Sequence, residues 1–175
     1  MPKIILNLRE QIISTGRVIL QEEGYKALNM RRIADECQIA VGTVYNYFSS
    51  KEILSASVML TDWQEYLEDA RKQVEIIDIE DPAEGLEILF LKIRAFSNQY
   101  HSAWVEYGVM PQGYSERHVK LVSQLGELVQ MIVKKCGIKP EPEPYMFMAE
   151  VLLTATYRPD VKFENLKPFF IKLIN

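Results

Sequence analysis

Apolar residues recur along this chain at three- and four-residue spacing, and the interruptions fall at glycine, proline and capping residues. Leu8, Ile12, Gly16, Ile19 and Leu20 form one face of a helix predicted over residues 3–23, which Gly24 ends. A glycine within a helix costs about 1 kcal/mol relative to alanine, so Gly16 predicts a close helix crossing. Ile33, Ala34 and Cys37 then make a helix of two turns, with Asn29 as its expected cap. The stripe cannot continue through Gln38 to Ala40; it restarts at Val41, Val44, Tyr45 and Phe48. Ser49-Ser50-Lys51-Glu52 reads as a capping box, Ser49 capping and Glu52 reaching back. It opens a long helix to about Val74, with Leu54, Val58, Thr61 and Leu67 toward the core. Two short helices joined by a tight turn, then a capped longer one, are a helix-turn-helix arrangement.

Beyond it, Asp81-Pro82-Ala83-Glu84 is a helix start with cap, proline at the first position and acid in the first turn. That helix is predicted over 82–107. A loop containing two glycines and a proline follows, and then a helix from Ser115 with Val119, Val122, Leu125, Leu128, Val129, Ile132 and Val133 as its stripe, stopped at Gly137. Residues 139–144 form a stiff proline-rich linker. The helix over 144–157 is apolar nearly all round except at Glu150, which predicts burial on more than one side. A short helix over 165–174 closes the sequence. No strand pattern occurs. The expected fold is all-α, with a three-helix helix-turn-helix domain over 1–50 and a helical ligand-binding and dimerisation domain over 51–175.

The second short helix is unusual in what it exposes. With Val44, Tyr45 and Phe48 inward, Gly42, Thr43, Asn46 and Tyr47 point outward, a bare backbone beside groups suited to base edges and phosphate oxygens. At these residues the chain resembles the DNA-binding domain of the TetR family of transcriptional repressors. The likeness rests on Gly24-Tyr25, Ile33-Ala34, the run from Val41 to Phe48, and Ser50-Lys51-Glu52-Ile53-Leu54, and it covers roughly Arg9 to Leu54. Three positions depart from the family pattern. Gln38 stands where a glycine usually makes a left-handed turn, a cost of about 1 kcal/mol. Ala40 replaces the usual serine cap of the recognition helix, losing an acceptor worth about 1 kcal/mol. Leu28 replaces a common threonine.

The resemblance implies roles residue by residue. Thr43 and Tyr47 are expected to meet bases or adjacent phosphates, and Val41 a thymine methyl. Arg31, Asn46 and Lys51 are expected to hold phosphate, and Gly42 to admit the backbone. Tyr45 reads equally as core or contact, and Arg32 as phosphate contact or surface charge. The partner implied is a palindromic double-stranded operator, bound by a homodimer whose recognition helices match half-sites about 34–36 Å apart.

Net charge is −4, but residues 1–54 carry +1 and the remainder −5, which confines phosphate contact to a local patch. Two cysteines, Cys37 and Cys136, make neither a disulfide framework nor a metal site. Cys37 reads as a small core residue; Cys136, at a helix end, is either inert or redox-active. No apolar run approaches the roughly 18 residues of a membrane span. The opening residues place charges inside any apolar core and lack a small-residue cleavage site, so a cytoplasmic location is expected. With two histidines and no nucleophile, metal, phosphate-loop or dinucleotide motif, no enzyme activity and no cofactor are expected.

In the second domain the excess is aromatic: Trp63, Tyr66, Phe96, Tyr100, Trp104 and Tyr107, with His101 alongside. These make an ordinary core, or an apolar pocket with polar groups from His101, Glu106 or His118. The resemblance implies the pocket and a small-molecule effector. A ligand would then tilt the helix that runs from Lys51 to Trp63 and Tyr66, change the spacing of the two recognition helices, and release the operator. The helices over 115–136 and 144–157 are the expected dimer interface, unless the monomer buries them. Control by a protein partner, and activation instead of repression, fit the same sequence.

Overall fold

The structure, a computed structural model, describes residues 7–77, 80–100, 114–138 and 142–174. Among them are eight helices and no strand: α1 (Leu8–Glu22), α2 (Met30–Glu36), α3 (Val41–Tyr47), α4 (Lys51–Ile76), α5 (Pro82–Gln99), α6 (Tyr114–Lys135), α7 (Pro142–Thr156) and α8 (Phe163–Ile174). The fold is all-α, with an N-terminal helix-turn-helix followed by further helices. Two compact units divide it. The first holds the described residues up to Gln64 with Gln99 and Tyr100; the second holds Glu65–Asn98 and the described residues from Tyr114 onward.

In the first unit, Ile12, Ile19 and Leu20 of α1, Leu28, Ile33 and Ala34, Val44 and Phe48, and Leu54 and Val58 of α4 make one core. Gly16 sits at the crossing of α1 and α4, where an added Cβ would stand 3.3 Å from Val58 Cγ2 and 3.7 Å from Leu54. Gly24, at φ 82°, ends α1 as expected. Cys37 is buried, its sulfur 3.4 Å from the Thr15 hydroxyl.

Several predicted boundaries shift. Ser50, not Ser49, caps α4: its Oγ accepts the Ile53 N–H at 3.3 Å. The sequence offers two adjacent serines, and the backbone exit from Phe48 selects the second. The helix predicted to reach residue 107 ends at Gln99. Asp81 caps its start, Oδ1 accepting the Ala83 N–H at 2.9 Å. The predicted linker is shorter than expected, because helix α7 already begins at Pro142, where proline suits the first turn.

The second unit is organised by α6 and α7, which pack side by side. Val122, Leu125, Leu128, Val129, Ile132 and Val133 face inward against Tyr145, Met148, Ala149, Leu152 and Leu153. Val119, expected in the same stripe, is 62% exposed. Gly126 allows close approach of Met146, whose sulfur would lie only 2.8 Å from an added Cβ. His118 Nε2 lies 2.7 Å from Glu150 Oε2, an α6–α7 contact that engages a histidine considered for the ligand pocket. Gly137, at φ 77°, ends the α6 segment as predicted. Lys135, beyond complementing its own helix, donates to the carbonyls of Val74, Glu75 and Ile77 and so satisfies the C-terminal carbonyls of α4. Phe163 and Phe170 of α8 stack near Phe90 of α5, completing the core.

Candidate nucleic-acid interface

The turn between α2 and α3 is held by backbone geometry alone. Gln38 takes the left-handed conformation, φ 56°, while its N–H donates to Asp35 O at 3.1 Å and the Ile39 N–H to Ala34 O at 2.9 Å. These two bonds close a Schellman motif with glutamine at the position glycine prefers. Asn29 caps α2, its Oδ1 accepting the Arg32 N–H at 2.8 Å. Ala40 occupies the N-cap of α3 in extended conformation and supplies no side-chain acceptor.

Helix α3 buries only Val44, with Phe48 following as its buried C-cap. Val41, Gly42, Asn46 and Tyr47 are exposed, and Thr43 is half-buried. Tyr45, which the spacing left open between core and contact, is 49% exposed and therefore on the outer surface. An added Cβ at Gly42 would meet nothing within 4 Å, so no neighbour in the first unit requires glycine there.

The cations separate into two kinds. Arg32 is committed within the domain: its guanidinium donates to Glu23 Oε2 at 2.7 Å and to Glu36 Oε1 at 2.8 Å. These partners raise its pKa further and hold Glu23 below the usual carboxylate range. The open choice for Arg32 thus resolves to an internal clamp between the end of α1 and α2. Arg31, one residue earlier, is exposed. Lys51, at the first position of α4, places its ammonium 3.9 Å from the centroid of the Tyr25 ring. The Tyr25 hydroxyl donates to Glu52 Oε1 at 3.2 Å. Arg9 lies over the Phe48 ring at 5.3 Å, a cation on α1 that the motif did not single out because it lies outside the matched runs.

The residues considered for a ligand pocket divide. Tyr66 and Phe96 meet edge to face in the second unit, ring centroids 5.6 Å apart. Trp63 and Tyr100 are fully buried in the first unit, and the Tyr100 hydroxyl donates to Asp62. His101, Trp104 and Tyr107 lie outside the described residues. Cys136 is half-buried, and burial, with Asp81 and Glu84 nearby, pushes its thiol up, which lowers thiolate content and disfavours redox reactivity. Among the described residues no cluster of histidine, cysteine and carboxylate could hold a metal, and no helix is long and apolar enough to cross a membrane.

The family model of the bacterial regulatory proteins, tetR family, matches residues 12–58, from the middle of α1 into α4. The chain is similar to the HTH-type transcriptional regulator UidR of Escherichia coli, 23% identical over 85% of this chain and 78% of UidR. It is 41% identical to the HTH-type transcriptional repressor KstR of Mycobacterium tuberculosis over 51 residues, 29% of this chain and 23% of KstR. The transcriptional regulator FadR from Bacillus subtilis, solved in complex with stearoyl-CoA, shares the fold at a TM-score of 0.59 and 16% identity, covering 95% of this chain and 98% of FadR. The outward face of α3, the Lys51 that follows it and these likenesses lead to one conclusion: the chain is a DNA-binding transcriptional regulator, not an enzyme, whose residues 12–58 are a helix-turn-helix of the TetR type.

Proposed function

We propose that the protein is a homodimeric repressor of the cytoplasm that binds a palindromic operator and is released from it by a small, largely apolar or aromatic effector. The observation that carries the DNA part is the composition of α3: one buried residue, with Val41, Gly42, Tyr45, Asn46 and Tyr47 exposed around it and Thr43 half-buried. A seven-residue helix with so little core is favoured by what it meets outside the chain. Thr43 and Tyr47 carry hydroxyls for base edges or flanking phosphates, and Val41 an apolar surface for a thymine methyl. Arg31, Asn46 and Lys51 hold phosphate, setting register without reading sequence. Tyr45 joins this face, and Gly42 lets the sugar-phosphate backbone come close.

The dimer is supported by α7, which leaves Met146 and Phe147 exposed on a helix whose other face is core. Two-fold association buries such a patch and doubles the contact with DNA. The effector reading is supported by the Tyr66–Phe96 pair and by precedent in the fold, the FadR complex with stearoyl-CoA. Effector binding that favours a conformer with the wrong recognition-helix spacing lowers operator affinity by the coupling free energy.

The experiment is a fluorescence-anisotropy titration at two salt concentrations, comparing duplex from upstream of the protein's own gene with a scrambled duplex. Tight, saturable binding to the upstream DNA alone is expected. Lys51→Ala should weaken binding to every sequence and reduce the salt slope by about one unit for each phosphate no longer neutralised. Equal, steeply salt-dependent binding to both duplexes would show that α3 reads no bases there.

A further inference from the structure

We infer that Arg9, in the first turn of α1, is a further phosphate-holding residue of the DNA interface, placed at the end of α3 by the ring of Phe48. The inference rests on the reading of α3 as the helix that meets DNA. Asn7 is the N-cap of α1, so Arg9 is the second residue of that helix. A cation there is disfavoured within the protein, because a helix N-terminus is itself positive. Arg9 is exposed, and among the described residues it makes no ion pair. Arg32, by contrast, is closed between Glu23 and Glu36. What Arg9 meets is an aromatic face: its guanidinium carbon lies 5.3 Å from the centroid of the Phe48 ring. That is a cation–π contact, and it does not use up the guanidinium N–H donors.

Phe48 fixes where this cation stands. It is the buried C-cap of α3, directly after Tyr47 and shortly before Lys51 at the start of α4. A third element, α1, therefore delivers a cation to the border of the face formed by Tyr45, Asn46 and Tyr47. The major groove is about 12 Å wide, and a helix with its side chains fills about 10–12 Å of it. A cation flanking the recognition helix thus faces the phosphates that wall the groove, not the base edges within it. Arginine suits that place, since it stays charged and its planar fork matches two phosphate oxygens at once. The competing reading is that the Arg9 stem only covers Phe48 as apolar packing. The two readings differ in what removal of the charge does.

The test is an anisotropy titration of the full chain on the upstream and the scrambled duplex at several salt concentrations. Arg9→Met keeps an unbranched apolar stem over Phe48 and removes the charge. It should weaken binding to both duplexes several-fold at low salt and lower the salt slope by about one unit per protomer. Its urea midpoint should stay at the wild-type value. Arg9→Lys keeps the charge and should keep most of the slope. Wild-type affinity and slope in Arg9→Met, alongside weakened binding in Tyr47→Ala, would overturn this inference alone and leave the α3 reading standing. Unchanged binding in both Thr43→Ala and Tyr47→Ala would sink the α3 reading, and the inference with it. A slope that falls in Arg9→Met and falls equally in Arg9→Lys would also overturn the inference, since charge would not be what matters. Should Arg9→Met unfold the domain, Arg9→Gln carries the same test, and an unchanged slope there overturns the inference.

Discussion

Arg17 Nε lies 2.6 Å from Asp62 Oδ1, joining the middle of α1 to the middle of α4 around an almost fully buried carboxylate. The second oxygen, Oδ2, accepts from Gln21 Nε2 at 3.1 Å, from Gln99 Nε2 at 3.4 Å and from the Tyr100 hydroxyl. Together these partners compensate the carboxylate, since a buried charge without compensation is among the most costly features a fold can carry. The network ties three chain segments of the first unit together, including the one that follows the C-terminal end of α5.

Asp62→Ala should therefore destabilise the protein by about 3 kcal/mol, at the lower end for a buried pair because the partly exposed Arg17 retains a path to water. Urea unfolding measures it. A loss under about 1 kcal/mol would mean that the network is worth no more than surface ion pairs.

The same network makes a pH prediction. Burial first, then the hydrogen bond to Asp62, raises the Tyr100 pKa well above that of a free phenol. The unfolded chain releases this proton near pH 10, about the ordinary tyrosine value, while the folded chain still holds it. Between those two points the folded state binds more protons, so stability falls as pH rises. Unfolding midpoints measured from about pH 8 upward should decline above about pH 10, and Tyr100→Phe should flatten that decline relative to the wild type.

The two departures in the helix-turn-helix turn are correctable. Gln38→Gly relieves a left-handed residue, and Ala40→Ser supplies the missing acceptor to the α3 N-terminus, where the Thr43 N–H already meets Ala40 O at 2.8 Å. Each should stabilise by about 1 kcal/mol, as judged by denaturant midpoint at constant slope. No gain from Ala40→Ser would show that a serine here does not reach the α3 amides.

Phe147, 52% exposed on α7, is the residue whose replacement tests the dimer. Phe147→Glu should shift sedimentation equilibrium toward the single chain while leaving helicity by circular dichroism intact. A wild-type protein that sediments as a monomer, or a variant that still dimerises, would remove α7 from the interface.

Local signals determined most of the helix-turn-helix from the sequence alone. Gly24, Asn29, Gln38 and Ala40 act through backbone dihedrals and hydrogen bonds within a few residues, so the Asn29 cap was legible in the sequence, while the left-handed turn at Gln38 followed from the resemblance to the TetR family. The apolar period likewise marked Val44 and Phe48 as core. Tertiary structure decided what depends on neighbours distant in sequence. Periodicity could not say whether Tyr45 faced in or out, because a stripe shows a face without showing what covers it. It could not foresee the Arg32 clamp, the Tyr25–Lys51 pairing or the four partners of Asp62, each joining residues on different elements. Val119 shared the periodicity of the α6 core, yet it lies exposed. Side-chain period is a property of one helix; burial and charge pairing belong to the packing of several.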